Sequence, residues 1–239
     1  MPLPKIATPT YELVLPSTGK TIKYRPFLVK EEKILILALE SEDPKQITNA
    51  IKTTLKSCIS TRGIKVEDLP TFDIEYIFLN IRGKSVGESI DVLVTCPDDG
   101  KTQVEHKIYI DEIQIEKDEK HSPDIKLDQS LTLRMKYPSL NEFVKNNFNI
   151  SDDNTLQASM DIIVSCIDVV YSEDESWAAA DCTKKELDEW LGTLNTSQFK
   201  EIEYFFETMP KLTHKVKVMN PNTKVESEVT LEGLTSFFG

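Results

Sequence analysis

The loop Cys96-Pro97-Asp98-Asp99-Gly100 comes nearest to a chemical motif in this sequence. Zinc knuckles place a C-P-x-C-G pattern at a hairpin tip, because the tight turn directs two thiolates at one tetrahedral ion. Here Asp99 takes the place of the second cysteine, and the comparable turn at residues 220–223 contains no sulfur. Four ligands cannot be assembled from these two loops. We therefore predict no metal, and a zinc-dependent binding module is kept as an alternative.

The other reactive side chains form no catalytic pattern. His106, His121 and His214 are far apart in the sequence, and no phosphate-binding loop occurs among the eight glycines. The run Glu173-Asp174-Glu175 is the densest group of carboxylates, and carboxylate pairs carry out glycoside cleavage. We interpret this run as a solvated loop, with a hydrolase as the alternative. We predict no catalytic residue, no cofactor and no small-molecule substrate.

The charge balance bears on the class of partner. The chain has 40 acidic and 28 basic side chains, a net charge of −12. Nucleic acids and anionic membranes attract clustered Lys and Arg, so neither is expected as a partner. The charge fits either a basic protein partner or simple solubility. With no signal segment or membrane span in the sequence, we expect a soluble intracellular protein in which disulfides do not form among the four cysteines.

Periodicity in the first half predicts a hairpin, three helices and a second hairpin that carries the Cys96 loop. The first helix is predicted to be well buried, because apolar residues crowd it. The second begins at an N-cap followed by proline and has apolar residues at helical spacing. The predicted strands are 11–15, 21–24, 90–94 and 104–110, and the helices are 29–40, 44–59 and 71–82.

The second half predicts strands, a group of helices and a last hairpin. Capping-box spacing occurs at Ser139 with Glu142 and at Thr183 with Glu186. The segment 116–123 is charged and lacks apolar residues, so we predict two halves, 1–115 and 124–239, joined by this linker. Predicted elements are a strand pair within 127–135, helices from 140, 156–170, 183–191 and 196–208, and strands 213–218 and 225–231.

The two later hairpins resemble each other in sequence. Val104–Ile113 aligns without gaps on Val225–Leu234, and Cys96-Pro97 corresponds to Asn220-Pro221, with a shorter loop in the second copy. Common ancestry and the general likeness of alternating hairpins both explain this echo. The fold class is therefore α+β, with antiparallel hairpins packed against helical clusters and two similar hairpin modules at about 90–113 and 213–234.

Candidate contact residues lie at turns and in exposed aromatic positions. Large aromatic side chains dominate the cores of interfaces, and the last six residues are too few to form a core alone. They must dock on their own domain or on a partner. The predicted contact residues are Pro97, Asp98, Asp99, Pro221, Asn222, Trp177, Phe237 and Phe238.

Two longer strings give a family resemblance. The segments Lys23–Lys33 (KYRPFLVKEEK) and Phe72–Glu88 (FDIEYIFLNIRGKSVGE) are similar to the baseplate protein family of T4-like tailed phages, and Leu234–Gly239 is similar as well. Members of that family are baseplate hub subunits or hub assembly factors. The resemblance runs over most of the chain and is densest over residues 20–115. An R-P-F entry to a charged helix is a structural feature, so the strings bring no catalytic residue.

The resemblance implies a non-enzymatic structural or assembly role in the baseplate hub of a contractile tail. Its partners would be other baseplate and tail hub proteins, met in the host bacterial cytoplasm during assembly. It leaves open whether the chain stays in the virion tail and whether it is oligomeric there. The alternatives are a transient hub-assembly chaperone that is absent from the virion and, from another class, a tail-associated cell-wall hydrolase that uses carboxylates such as Glu173 and Glu175.

Overall fold

The computed structural model describes residues 6–41, 43–140, 155–233 and 236. Within these ranges the chain alternates short strands and helices. The helices are α1 (Val29–Glu40), α2 (Pro44–Cys58), α3 (Thr71–Val86), α4 (Thr155–Ser165), α5 (Lys184–Leu191) and α6 (Thr196–Thr208). The strands are β1 (Tyr11–Val14), β2 (Thr21–Tyr24), β3 (Ser89–Thr95), β4 (Gln103–Tyr109), β5 (Gln114–Glu116), β6 (Asp124–Lys126), β7 (Thr132–Met135), β8 (Ile167–Tyr171), β9 (Ser176–Ala178), β10 (Lys211–Met219) and β11 (Glu226–Glu232).

The strands form small antiparallel sheets. The hairpins β1-β2 and β3-β4 are two-stranded, β11-β10-β5 is three-stranded, and β6-β7-β8-β9 is four-stranded. The predicted α+β fold with antiparallel hairpins is confirmed.

Local signals in the sequence account for several helix ends. At α2 the Asp43 carboxylate accepts the Lys45 N–H at 2.9 Å, so it satisfies one of the unpaired amides of the first turn. At α5 the Thr183 hydroxyl accepts the Glu186 N–H, and the Glu186 carboxylate accepts the Thr183 N–H. The capping box predicted there is confirmed. The one predicted at Ser139 and Glu142, with the helix that follows, lies outside the described residues.

The long helix predicted over 156–170 is wrong in its second half. Helix α4 ends at Ser165, whose hydroxyl donates to the Ile162 carbonyl, and β8 follows from Ile167. β-branched side chains fit a pleated sheet better than a helix. Here Val170 pairs with Leu133 on one side and with Trp177 on the other, so β8 lies inside the four-stranded sheet. The sequence pattern did not predict a strand here because the strands that pair with β8 are hard to recognise: β7 is distant in sequence, and the short β9 directly follows the acidic run 173–175.

Buried apolar side chains form two clusters. The first cluster gathers residues of the opening hairpin, α2, α3 and the β3-β4 hairpin, and Leu212, Val216 and Val218 of β10 pack into it as well. The second cluster gathers residues of β6 to β8 and α4 to α6, including Ile202 and Phe205. The last hairpin thus shares a core with the first half of the chain.

The predicted division at residues 116–123 stays a prediction, and the packing suggests a different one. Glu116 belongs to β5 and pairs with Lys211 of β10. His121 is half-buried, with its ring nitrogens 3.0 Å from the Thr208 hydroxyl and 2.9 Å from the Tyr137 hydroxyl. We propose that the chain divides by core, with residues 124–208 inserted between β5 and β10, although Leu140 of this insert packs in the first cluster.

Gly83 of α3 packs closely against Ile110, the first residue after the β4 segment. A Cβ atom on Gly83 would lie 2.6 Å from Cδ1 of Ile110, which is inside van der Waals contact. We expect Gly83→Ala to be less stabilising than the roughly 1 kcal/mol that helix propensity alone gives alanine, because the Cδ1 methyl of Ile110 must shift to make room. Ile110→Val removes the clashing methyl and should cost about 1 kcal/mol alone.

A double-mutant cycle by urea denaturation checks this packing. The double variant should be clearly more stable than the sum of the two single changes predicts, since the added and the removed methyl compensate. Additive effects would show that Ile110 does not limit the space at Gly83.

Candidate functional site

The tips of the two similar hairpins begin with the same hydrogen-bonded turn. The Gly100 N–H donates to the Cys96 carbonyl at 3.0 Å, and the Lys224 N–H donates to the Asn220 carbonyl at 2.9 Å. Gly100 and Lys224 also share a left-handed backbone, with φ of 63° and 64°. A left-handed lysine is uncommon, because its Cβ crowds the following carbonyl. The two tips therefore share this hydrogen-bonded turn and its left-handed residue, although the Cys96 N–H donates to the Thr102 carbonyl and the Asn220 N–H to the Val225 carbonyl, so the first loop is one residue longer.

Strand pairing revises the alignment of the two hairpins. Val94 pairs with Val104 in the first hairpin, and Val218, its counterpart, pairs with Ser227 in the second. Val104 thus corresponds to Ser227, two residues along from the Val225 that the sequence alignment chose. A shift of two keeps the same residues on the inner face, because side chains alternate with period two. This is why the sequence pattern did not reveal it.

The two tips bind each other. The Asn220 side-chain amide donates to both carboxylate oxygens of Asp98, at 3.1 and 3.0 Å, and to Asp99 at 3.0 Å. The Thr223 hydroxyl donates to Asp98, and the Asn222 amide donates to the Thr102 hydroxyl at 3.0 Å. Three of the predicted contact residues, Asp98, Asp99 and Asn222, therefore contact the other hairpin.

Asn220 is the centre of this tip network. Its side chain is 0% exposed, and its carbonyl oxygen accepts the N–H groups of Asn222 and Thr223. Those bonds fix the amide plane, so its NH₂ group points at the carboxylates. Sequence reasoning missed this residue. The sequence feature that could have pointed to Asn220 is its alignment with Cys96 of the other hairpin. In the structure both residues are buried.

Hydrogen bonding also sets the chemistry of the tip that resembles a zinc knuckle. Bonds from Thr102, Lys101 and Asn220 lower the pKa of Asp99 well below its usual range, so this carboxylate is ionised and fully engaged. Burial and the charges of Asp98 and Asp99 raise the pKa of the Cys96 thiol. In the protein without a metal, this surrounding therefore favours the protonated thiol over the thiolate. Among the described residues no group of three or more His, Cys, Asp or Glu could hold a metal ion.

The remaining predicted contact residues lie in different places. Pro97 and Pro221 are exposed at the two tips. Trp177 lies on β9, is 47% exposed and borders an apolar groove of about 370 Å³. Phe237 and Phe238 lie outside the described residues. Glu173 to Glu175 are exposed on the turn between β8 and β9, where the Ser172 N–H donates to the Glu175 carbonyl at 2.8 Å.

Helix α1 is not the well-buried helix that its composition predicts. Of its twelve residues only Glu31 and Ala38 are buried, with Leu35 packed partly against the core. Its outer side bears five exposed aliphatic side chains, Val29, Ile34, Ile36, Leu37 and Leu39, with Val29 at 80% and Leu37 at 54%. We call these five residues the α1 outer face. A group of exposed aliphatic side chains of this size is normally covered by neighbouring structure or by a partner.

The R-P-F string positions α1. Arg25 donates to the buried Glu31 at 2.8 Å, and Glu31 also accepts the Leu28 N–H at 2.9 Å, which caps the helix. Burial alone would raise the pKa of Glu31, but the bonds from Arg25 and Leu28 outweigh it and hold that pKa below its usual value. The Phe27 N–H donates to the Ser85 hydroxyl at 2.8 Å, so the second family string binds the first.

The protein thus consists of paired hairpins and helical clusters, and it exposes apolar surfaces, including the α1 outer face and the groove beside Trp177. No helix among residues 6–41, 43–140 and 155–233 is long and apolar enough to cross a membrane. The chain matches the family described as T4 bacteriophage base plate protein over residues 8–239, and it belongs to that family. No curated protein and no solved structure matches it. Membership is consistent with a structural role in a phage base plate.

Proposed function

We propose that this chain is a structural component of the baseplate hub of a contractile-tailed phage, and that it acts through protein–protein contacts and carries out no catalysis. The α1 outer face is the observation that supports this proposal. Five aliphatic side chains exposed on one twelve-residue helix leave an apolar surface that water does not solvate well. Family membership supplies the class of partner, which is a neighbouring chain of the base plate.

The partner surface should itself be aliphatic. The polar residues among these side chains include both signs, Lys30 and Lys33 against Glu32 and Glu40, so charge does not select a strongly acidic or basic partner. A helix of this kind associates by packing its side chains between those of another helix or on a sheet. The ion pair of Arg25 with Glu31 holds α1 in place before the partner arrives, which limits the entropy lost on docking.

Variants of the α1 outer face test the proposal. We expect Ile36→Glu with Leu37→Glu to leave the fold intact and to remove the partner of α1 from the tail proteins that co-purify with the tagged chain from infected cells. The wild type should recover baseplate proteins in near-stoichiometric amounts, as identified by mass spectrometry. Leu93→Glu is the control, because Leu93 is also an exposed aliphatic side chain (67%) but belongs to β3 and not to α1, and its replacement should leave recovery unchanged.

Two outcomes would contradict the proposal. If the wild type recovers no base plate protein, the chain does not act by docking in this assembly. If Ile36→Glu with Leu37→Glu recovers as much as the wild type, α1 is not the docking surface. Mass spectrometry of purified virions separates a hub component, which is present there, from a transient assembly chaperone, which is absent.

A further inference from the structure

The apolar groove beside Trp177 lies on the second core, between the four-stranded sheet and α5. Trp177 pairs with Val170 across β8 and β9, so their side chains share one face of the sheet. Leu187 and Trp190 are three residues apart on α5 and face the same way. Leu131 and Cys182 complete the apolar lining of a space of about 370 Å³.

The polar groups at the groove are already engaged. Glu186 is the charged residue of the lining, and its carboxylate accepts both the N–H and the hydroxyl of Thr183 at 2.7 Å. The Cys182 thiol donates to the Ala178 carbonyl. Sites for polar small molecules have convergent hydrogen-bonding groups that fix the ligand's orientation. This lining favours an apolar side chain inserted from a larger partner.

The charge around the groove determines which residues should flank the inserted apolar side chain of the partner. Residues 172–191, which carry Trp177 and Trp190, include seven acidic side chains and two basic ones, a net charge of −5. Both lysines are engaged, Lys184 with Asp161 at 2.8 Å and Lys185 with Glu189 at 3.5 Å. Glu173, Asp174 and Glu175 stand exposed just before Trp177. Positive flanks would be attracted here, and guanidinium groups also stack on indole faces.

We propose that this groove docks a segment of another base plate chain, in which one or two aliphatic side chains are flanked by Lys or Arg. The inference rests on the proposed docking function and adds a second surface with a different specificity. Whereas the α1 outer face takes an aliphatic surface without a charge preference, the groove requires basic flanks. Binding here should weaken as salt rises, because the acidic rim is exposed and screened.

Tryptophan fluorescence reports on this groove alone, since both tryptophans of the chain line it. The probes are overlapping peptides that span the other base plate proteins of the same phage, titrated into the intact chain. We expect the peptides that shift the emission to carry an aliphatic pair with basic flanks. Trp177→Ala should weaken their affinity about tenfold or more, measured by the remaining tryptophan or by calorimetry.

Charge variants sharpen the test. Asp174→Lys with Glu175→Lys should weaken binding about tenfold at low salt and much less at high salt, whereas the control Glu105→Lys on β4 should not change it. If acidic peptides bind as well as basic ones, or if no peptide shifts the emission, the inference is wrong. Self-association of the chain that Trp177→Ala abolishes would identify a second copy as the occupant and would also overturn it.

Co-purification distinguishes failure of the groove inference from failure of the proposed docking function. If tail proteins still co-purify with Trp177→Ala and with the charge variant as with the wild type, the groove inference fails while docking through α1 stands. If the wild type recovers no tail protein at all, the proposed function fails first.

Discussion

Replacing Asn220 by aspartate is expected to lower the free energy of unfolding by about 2–4 kcal/mol at pH 7. The two N–H groups of the native amide serve three carboxylate oxygens of Asp98 and Asp99, one N–H being shared between two oxygens, from a position that is 0% exposed. Asn220→Asp removes those donors and adds a third negative charge at the same place. Urea denaturation at constant ionic strength measures the loss.

The loss should depend on pH in a defined direction. Neighbouring carboxylates raise the folded-state pKa of the introduced carboxyl, so its destabilising effect is full above that pKa and disappears as pH falls below the ordinary value of about 4. In the wild type the lowered pKa of Asp99 works in the opposite sense, giving stability that is present above about pH 4 and lost below it. The two stability curves should therefore converge on acidification.

Asn222→Asp is the matched control for this substitution. It makes the same chemical change two residues away, at an exposed side chain that donates one bond to Thr102. We expect a loss of about 1 kcal/mol or less, because solvent screens an exposed charge. Equal losses at positions 220 and 222 would mean that the buried amide does not hold the tips together.

Local patterns were sufficient to predict much of the fold. Alternation of apolar residues located the three hairpins, and the Asp43 cap and the Thr183 capping box fixed two helix starts. These signals depend on contacts within a few residues, so one sequence shows them. Family strings such as KYRPF also proved to be structural, since Arg25 and Phe27 make bonds that position α1.

The failures share a different cause, which is dependence on distant partners. The segment Ile167–Tyr171 reads as a continuation of α4 until β7 and β9 pair with it. Helix α1 reads as buried because its composition does not show how much of it the rest of the chain covers. Asn220 reads as an ordinary turn residue because its partners, Asp98 and Asp99, are more than 120 residues away.

The α1 outer face and the groove could not be predicted from the sequence for the same reason, which is that both depend on distant parts of the chain. Trp177 was a candidate on its type alone, whereas the groove needs β8, β9 and α5 together. Exposure of an apolar side chain is a property of the whole fold. It cannot be predicted from periodicity when apolar and charged residues alternate around the whole helix, as they do in α1.

Replacing Arg25 by alanine should have the largest effect of all, a loss of about 3–5 kcal/mol at pH 7, because it leaves a buried carboxylate without its partner. The Glu31 side chain is 3% exposed and receives Arg25 at 2.8 Å. Without Arg25, the Leu28 N–H and Lys30 still favour the carboxylate, whereas burial, the largest influence on this group, favours its protonated form, so we expect the pKa of Glu31 to rise. The destabilisation should then be full above the raised pKa and should shrink on acidification, as the carboxyl becomes protonated in the folded protein.

Lys30→Ala is the control on the same carboxylate, since Lys30 lies 3.4 Å from Glu31 but is 69% exposed. It should cost at most about 0.5–1 kcal/mol in urea denaturation. The double variant Arg25→Met with Glu31→Leu should recover much of the stability, because it replaces the buried pair by apolar groups. Equal losses for Arg25→Ala and Lys30→Ala would show that burial does not decide the strength of the pair. If the double variant is stable but no longer recovers tail proteins, the pair serves to hold α1 in its docking position.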